Sequence, residues 1–179
     1  MAGIIQRDYP HVTWWCPQLP ASPQQAMQEI MATISQWPAD EGFQSMAVIG
    51  SSLGGFYATW VAEKTGCKAV LLNPAVDPAR DLASYIGEQT AWHNPDEKFF
   101  FNPEFIDELR ALEAGPLKHA KNYLAIIAKG EEVLDWREMV ARYTGANQQL
   151  LGGGDHALSD FDNHLPAILG FLNLGLFGA

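Results

Sequence analysis

Basic residues are scarce in this sequence. Eleven lysines and arginines stand against 21 aspartates and glutamates, which gives a formal net charge of −10 at pH 7. No segment gathers the few basic side chains into a cluster. A protein of this charge is repelled by the phosphates of nucleic acids and by anionic membrane surfaces. We therefore expect neither nucleic acid nor a membrane among its partners.

Cysteines and long apolar runs are also few. The two cysteines, Cys16 and Cys67, are too few for a disulfide scaffold and lack the spacing of zinc ligands. The apolar stretch 168–177 is too short and too interrupted to span a bilayer, and no basic region followed by an apolar run opens the sequence. These absences predict a cytoplasmic protein that uses no metal and no cofactor.

The sequence contains no repeat and no linker, so its 179 residues, 47% of them hydrophobic, predict one domain, 1–179. Apolar runs typical of strands alternate with helical periodicities. Strands are predicted at 12–16, 46–49, 68–72, 123–128 and 148–151, and helices at 1–10, 23–37, 53–61, 78–86, 103–112, 136–143 and 165–174. This alternation predicts an α/β fold, a mainly parallel sheet covered by helices on both faces. The aromatic-rich stretch 87–116 interrupts it and resembles a small cap-like insertion.

A Gly-x-Ser-x-Gly turn centred on Ser52 joins the second predicted strand to the next helix. Such a turn is typical of a nucleophile elbow, in which the serine adopts a strained conformation with its hydroxyl exposed. We expect glycine at positions 50 and 54 because a Cβ at either would collide where strand and helix pack closely. The helix is amphipathic, since apolar residues recur at helical spacing: Leu53, Phe56, Tyr57, Trp60 and Val61. The structural alternative is a tight turn with an incidental serine.

A serine nucleophile needs a base, and the base needs an acid to orient it. His156, in a Gly-rich loop after the last predicted strand, is the candidate base, and its structural alternative is a solvated loop histidine. Glu131 and Asp135 both follow the strand 123–128 and are the candidate acids. Asp135 has another task as the N-cap of the next helix, so we favour Glu131, while Glu132 is expected to face solvent.

The backbone N–H of Leu53, at the start of the elbow helix, is the predicted oxyanion donor. The sequence offers no candidate for the second donor. Trp92, Phe99 and Phe100 in the insertion are predicted to form an aromatic wall for an acyl group. The alternative is that these side chains belong to a hydrophobic cap packed on the sheet.

Several segments resemble motifs of the YqiA-like bacterial esterase family of α/β-hydrolases: Pro17-Gln18-Leu19-Pro20, Gly50 to Trp60, Asn73-Pro74-Ala75-Val76, Glu132-Val133-Leu134-Asp135 and Gly153-Gly154-Asp155-His156-Ala157. The similarity spans nearly the whole chain. It implies an α/β-hydrolase fold and hydrolysis of carboxylic esters or thioesters, with Ser52 as nucleophile and His156 as base.

The chain departs from the family pattern in two places. Glu131 stands where the family usually has aspartate, and the family's first strand, with a Leu-His-Gly-Phe-like loop that would supply the second oxyanion donor, has no counterpart. We therefore expect an N-terminally truncated hydrolase fold, with Met1 an internal methionine of a longer gene product. If Met1 is the true start, the strand 12–16 is expected to close up against the elbow strand and turnover to be weak.

The sequence thus predicts a serine esterase or thioesterase that acts on a small-molecule acyl ester through a Ser-His-acid triad and an acyl-enzyme. The alternative is a catalytically degenerate hydrolase fold that binds a ligand or partner without turnover. A phosphate site at the glycine run 152–154 is disfavoured because no Gly-Lys-Ser/Thr follows and no helix begins there.

Overall fold

Four short parallel strands form the central sheet of the protein. A computed structural model describes residues 1–37, 45–90 and 98–174. The strands are β1 (Ala47–Ser51), β2 (Lys68–Leu72), β5 (Tyr123–Ala128) and β6 (Asn147–Leu151), and a separate antiparallel ribbon consists of β3 (Gly87–Thr90) and β4 (Lys98–Phe101). The α-helices are α1 (Ala2–Asp8), α2 (Pro23–Ile34), α3 (Leu53–Thr65), α4 (Pro78–Asp81), α5 (Glu104–Ala111), α6 (Trp136–Arg142) and α7 (Leu165–Phe171).

The strand order in the sheet is β1-β2-β5-β6, and every neighbouring pair is parallel. Parallel neighbours require crossovers, which α3 and α6 supply between β1 and β2 and between β5 and β6. All carboxyl ends of the strands consequently meet at one edge of the sheet. The elbow, the segment after β5 and the loop after β6 leave the sheet at this edge.

Both faces of the sheet are buried, as the alternating side chains of β2 demonstrate. Ala69 and Leu71 pack in one apolar cluster with residues of α3 and α6, whereas Val70 and Leu72 pack on the opposite face with Ile168 of α7. Strands covered on both sides read as continuous apolar runs. The predicted doubly covered parallel sheet is therefore confirmed, and the predicted bounds of β2 and β5 match residue for residue.

The predicted strand at 12–16 is wrong, because residues 13–20 have no regular secondary structure. β-branched and aromatic residues favour a strand only where a partner accepts the backbone hydrogen bonds, and in this segment Trp15 instead packs edge-on against Trp37. Within residues 1–37, 45–90 and 98–174, no strand pairs with the outer edge of β1. The expected pairing of 12–16 with the elbow strand is thus also wrong.

The segment 78–86 is shorter as a helix than predicted, since α4 ends at Asp81 and a 3-10 turn follows at Ala83–Tyr85. In the insertion, the helix predicted at 103–112 is found as α5, whereas the ribbon of β3 and β4 was not predicted.

Among the residues described, no helix has both the length and the apolar character needed to cross a membrane.

Ser22 joins α2 to α5. Its hydroxyl accepts the Gln25 N–H at 3.1 Å as an N-cap and donates to Glu108 Oε2 at 2.7 Å. Glu108 Oε2 also accepts the Gln24 N–H at 3.0 Å. One serine therefore caps a helix and ties it to the insertion.

We expect Ser22→Ala to lower the free energy of unfolding by about 1–2 kcal/mol, because a cap and a hydrogen bond to a carboxylate are both lost. Urea denaturation followed by circular dichroism measures the change. Ser35→Ala is the control, since the Ser35 hydroxyl, at the other end of α2, donates to the Ala32 carbonyl within the same helix. Equal losses in the two variants would contradict the role of Ser22.

Candidate active site

Ser52 occupies the sharp turn between β1 and α3. Its backbone angles are φ 53° and ψ −123°, a positive-φ conformation that is costly for a non-glycine residue and that clusters at functional sites. The Ser52 N–H donates to the Leu72 carbonyl at 3.0 Å, and the Ser52 carbonyl accepts the Ala75 N–H at 2.9 Å. These two hydrogen bonds attach the strained serine to residues 72–75, which we call the β2 corner.

The glycines around Ser52 have unequal roles. A Cβ on Gly50 would overlap the Gly54 carbonyl, and one on Gly55 would lie 2.6 Å from the Pro74 Cβ. A Cβ on Gly54 would meet nothing within 4 Å. The steric prediction therefore fits Gly50 but is wrong for Gly54, and the glycine that the close packing requires on the helix is Gly55.

The Leu53 N–H lies at the first position of α3. The first N–H groups of an α-helix have no acceptor within the helix, and no acceptor for this one is found among the described residues. The Leu53 N–H is thus free to donate to a ligand oxygen, as an oxyanion donor must be.

His156 and Glu131 are in direct contact, although 25 positions separate them in the chain. The distance from His156 Nδ1 to Glu131 Oε2 is 2.7 Å, and the side chains are 24% and 0% exposed, respectively. A carboxylate can only accept a hydrogen bond, so in the neutral imidazole Nδ1 carries the proton and Nε2 retains a lone pair. This is the tautomer that a general base requires.

Glu131 has a second task that the sequence did not predict. Its other carboxylate oxygen, Oε1, accepts the N–H groups of Val133 and Leu134 at 2.6 and 2.7 Å. These two N–H groups fix the carboxylate toward His156. Glu132 is exposed as predicted, but its Oε2 also accepts a hydrogen bond from the backbone N–H of His156 at 3.1 Å.

The other nearby carboxylates are engaged elsewhere. Asp135 is the N-cap of α6 and accepts the Arg137 N–H at 2.9 Å, as its sequence position predicts. Glu138, in the first turn of α6, accepts two hydrogen bonds from the Arg80 guanidinium. Asp155 accepts hydrogen bonds from the Ser159 hydroxyl and N–H, which lower the pKa of its carboxyl.

The segment that carries Glu131 and the loop that carries His156 approach each other closely at two glycines. The Gly130 N–H donates to the Gly153 carbonyl at 3.4 Å, and a Cβ on Gly130 would overlap the Gly154 carbonyl. Only glycine at position 130 lets the two backbones come this near. This contact could not be predicted from the sequence, because Gly130 has the appearance of an ordinary turn residue.

Residues 1–173 match the uncharacterised protein family UPF0227. The chain belongs to this family. The match covers almost the entire sequence and confirms the resemblance to the YqiA-like proteins.

Several solved structures are similar in fold to this UPF0227 protein. α/β-Hydrolase domain-containing protein 10 from mouse is 18% identical, with a TM-score of 0.59 over 85% of this chain and 70% of its own. An α/β superfamily hydrolase from Oenococcus oeni is 15% identical, with a TM-score of 0.54 over 88% and 77%. Est1E from Butyrivibrio proteoclasticus, with ferulic acid bound, is 15% identical, with a TM-score of 0.53 over 84% and 66%. At these identities the likeness establishes the fold, and the predicted α/β-hydrolase fold is confirmed.

The predicted aromatic wall of this UPF0227 protein is described only in part. Trp92 lies outside the described residues, and Phe99 is placed in β4, where it pairs with Gln89. Phe100 is 57% exposed, whereas its neighbour Phe101 is buried against Phe105 at a ring distance of 5.4 Å. The ribbon thus buries Phe101 in the core and presents Phe100 to solvent.

A cavity of about 470 Å³ lies between α3, α5, α6 and the segment after the β2 corner. Its lining includes three arginines and two glutamates: Arg80, Arg110, Arg142, Glu113 and Glu138. None of Ser52, Glu131 and His156 lines it. The candidate catalytic residues of the UPF0227 protein therefore do not open into this cavity.

Proposed function

We propose that this protein is a serine hydrolase that cleaves carboxylic esters or thioesters, with Ser52 as nucleophile, His156 as base and Glu131 as the orienting acid. The observation that carries the proposal is the 2.7 Å contact between His156 Nδ1 and the fully buried carboxylate of Glu131. A solvated loop histidine would not require a buried carboxylate held by two N–H groups. The assignment of Ser52 as nucleophile is supported by its positive φ angle at a strand-to-helix turn of a hydrolase fold.

In the proposed reaction, His156 Nε2 takes the hydroxyl proton as Ser52 Oγ attacks the substrate carbonyl carbon. The carbonyl oxygen becomes an oxyanion, which the Leu53 N–H stabilises. The tetrahedral intermediate collapses, the bond to the leaving group breaks, and His156 returns the proton to the departing alkoxide or thiolate. Water then repeats the sequence on the acyl-enzyme, which releases the acid and restores Ser52. Glu131 holds the imidazole in orientation and stabilises its charged form throughout.

We propose that the substrate is a small acyl ester or thioester, met in the cytoplasm. The insertion 87–116 would act as a cap on a single domain. Its exposed Phe100, together with Phe99 and Trp92, would line the acyl site. Est1E, a neighbour in fold, binds ferulic acid, which is aromatic, and this supports an aromatic acid among the acyl groups to be tested.

A fluorophosphonate probe tests the proposal, because it phosphonylates a serine only when a base activates the hydroxyl. We expect one adduct per folded molecule, located on Ser52 by peptide mass spectrometry. Turnover of p-nitrophenyl esters with acyl chains of increasing length then measures the chain preference. A folded sample without an adduct, or with the adduct elsewhere, would contradict the proposal.

The alternative function is ligand or partner binding without turnover by a degenerate hydrolase fold. What favours it is that the sequence offers a candidate for only one oxyanion donor, the Leu53 N–H at the start of α3. Loss of one oxyanion donor lowers turnover by about 10²–10³-fold, which would still leave the serine reactive toward a probe. Probe labelling without ester turnover would therefore favour the alternative.

A further inference from the structure

Asn73 is the fully buried residue that directly follows β2, with 0% of its surface exposed. Both ends of its amide are used. The Nδ2 group donates to the carbonyls of Asp155 and His156 at 2.9 and 3.1 Å, and Oδ1 accepts the Ala128 N–H at 2.8 Å. One side chain thus bonds the backbone at two separate segments.

These segments are the ones that carry the proposed base and acid. The two carbonyls belong to His156 and to the residue before it, and Ala128 ends β5 three residues before Glu131. The β2 corner, of which Asn73 is part, is also the segment to which both backbone groups of Ser52 are bonded. Asn73 is therefore the point at which the connections from all three candidate catalytic residues meet.

The backbone at this position also favours asparagine. The φ angle of Asn73 is 40°, a left-handed conformation that asparagine and glycine tolerate better than most residues. Its N–H continues the sheet by donating to the Ile126 carbonyl at 3.0 Å. The conformation turns the side chain out of the strand while the backbone remains attached to β5.

We infer that Asn73 is a positioning residue, which holds the His156 loop and the end of β5 in register with the elbow so that His156 stands correctly between Ser52 and Glu131. The inference rests on the proposed function. Asn73 touches no reacting atom, so its loss is expected to lower kcat while leaving KM almost unchanged. A residue that served stability alone would not have this selective effect.

Asn73→Asp tests the inference most closely, because aspartate keeps the size, the Oδ1 acceptor and the tolerance of positive φ but loses the Nδ2 donor. We expect kcat to fall about 10–100-fold with KM within about twofold, consistent with misplacement of a catalytic group by a fraction of an ångström. Hydrogen–deuterium exchange in the peptide covering 152–158 should be about tenfold faster. Exchange in β2 and β5 should be unchanged.

Asn73→Gly is the second variant. Glycine accepts the positive φ angle and places no carboxylate near the two carbonyls, and we expect the same fall in kcat as in Asn73→Asp.

Asn147→Asp is the matched control. Asn147 Nδ2 also donates to two carbonyls, those of Lys121 and Tyr123, but at the amino-terminal edge of the sheet. This variant should keep wild-type kcat and wild-type exchange at 152–158.

Wild-type kcat and loop exchange in both Asn73 variants would overturn the inference. Failure of both variants to fold would overturn it too, since Asn73 would then serve stability. If the wild-type protein neither reacts with the probe nor turns over esters, the proposed function fails. The hydrogen-bonded Nδ1 proton of His156, observed by NMR, then decides the positioning role separately: its loss in the variants supports the role, and its retention overturns it.

Discussion

Glu131→Gln is expected to lower kcat by about 10³–10⁴-fold without unfolding the protein. The glutamine carbonyl can still accept the N–H groups of Val133 and Leu134, which bond Oε1 in the wild type. Its NH₂ group then faces His156 Nδ1 and donates to it, which places the ring proton on Nε2. An imidazole in that tautomer cannot accept the serine proton, and the comparable aspartate-to-asparagine change in a serine protease triad costs about 10⁴-fold. Steady-state kinetics on the preferred p-nitrophenyl ester measures the loss.

Asp135→Asn is the matched control, because it also exchanges a carboxylate for an amide. Asparagine caps a helix about as well as aspartate, so the N-cap bond to the Arg137 N–H is retained. We expect kcat within about threefold of wild type and an unchanged thermal midpoint. If Asp135→Asn abolished turnover at an unchanged midpoint while Glu131→Gln stayed active, Asp135 would be the triad acid.

The central strands could be predicted from the sequence because burial on both faces produces uninterrupted apolar runs. β5 is buried at every position and β2 at every position after Lys68, so neither strand depends on its partners to be recognised. The N-cap at Asp135 could also be predicted, since a capping residue acts within one helical turn of the chain. Both are local signals.

The segments that sequence reasoning misplaced depend on distant partners. Residues 12–16 have strand propensity but pair with no strand of the described residues, and the β3–β4 ribbon forms although Gly87–Thr90 carries no apolar run. The ribbon is fixed instead by Phe101, which packs with Phe105 in the core. Strand propensity is only a preference for a pleated surface, and the presence of a partner decides whether it is realised.

The contacts within the candidate site were the least predictable. Asn73 reads in the sequence as the residue that stops a strand before proline, and Gly130 as a turn residue. Asn73 contacts Asp155, which lies 82 positions further along the chain. Gly130 contacts Gly153, also in the loop after β6. Residue type and order were enough to propose which groups react. The groups proposed to hold them in place could not be predicted, because their contacts form only when the ends of neighbouring parallel strands come together in the fold.

Gly50→Ala is expected to destabilise the protein by about 3–5 kcal/mol, a large share of the roughly 5–15 kcal/mol that stabilises a typical domain. The added methyl group would overlap the Gly54 carbonyl. That carbonyl belongs to the first turn of α3, and Gly50 belongs to a strand hydrogen-bonded to β2, so neither backbone can move aside without breaking regular structure. Relief of the overlap would release Ser52 from its strained conformation, and probe labelling should disappear as well.

Gly54→Ala separates this steric effect from the general cost of replacing a glycine. A methyl group at position 54 meets nothing within 4 Å, and alanine is favoured over glycine in a helix by up to about 1 kcal/mol. The free energy of unfolding should therefore equal or exceed that of the wild type, measured by urea denaturation of both variants side by side. Equal destabilisation by the two substitutions would mean that β1 and α3 approach no more closely at Gly50 than at Gly54, and the close packing proposed to hold Ser52 would not exist.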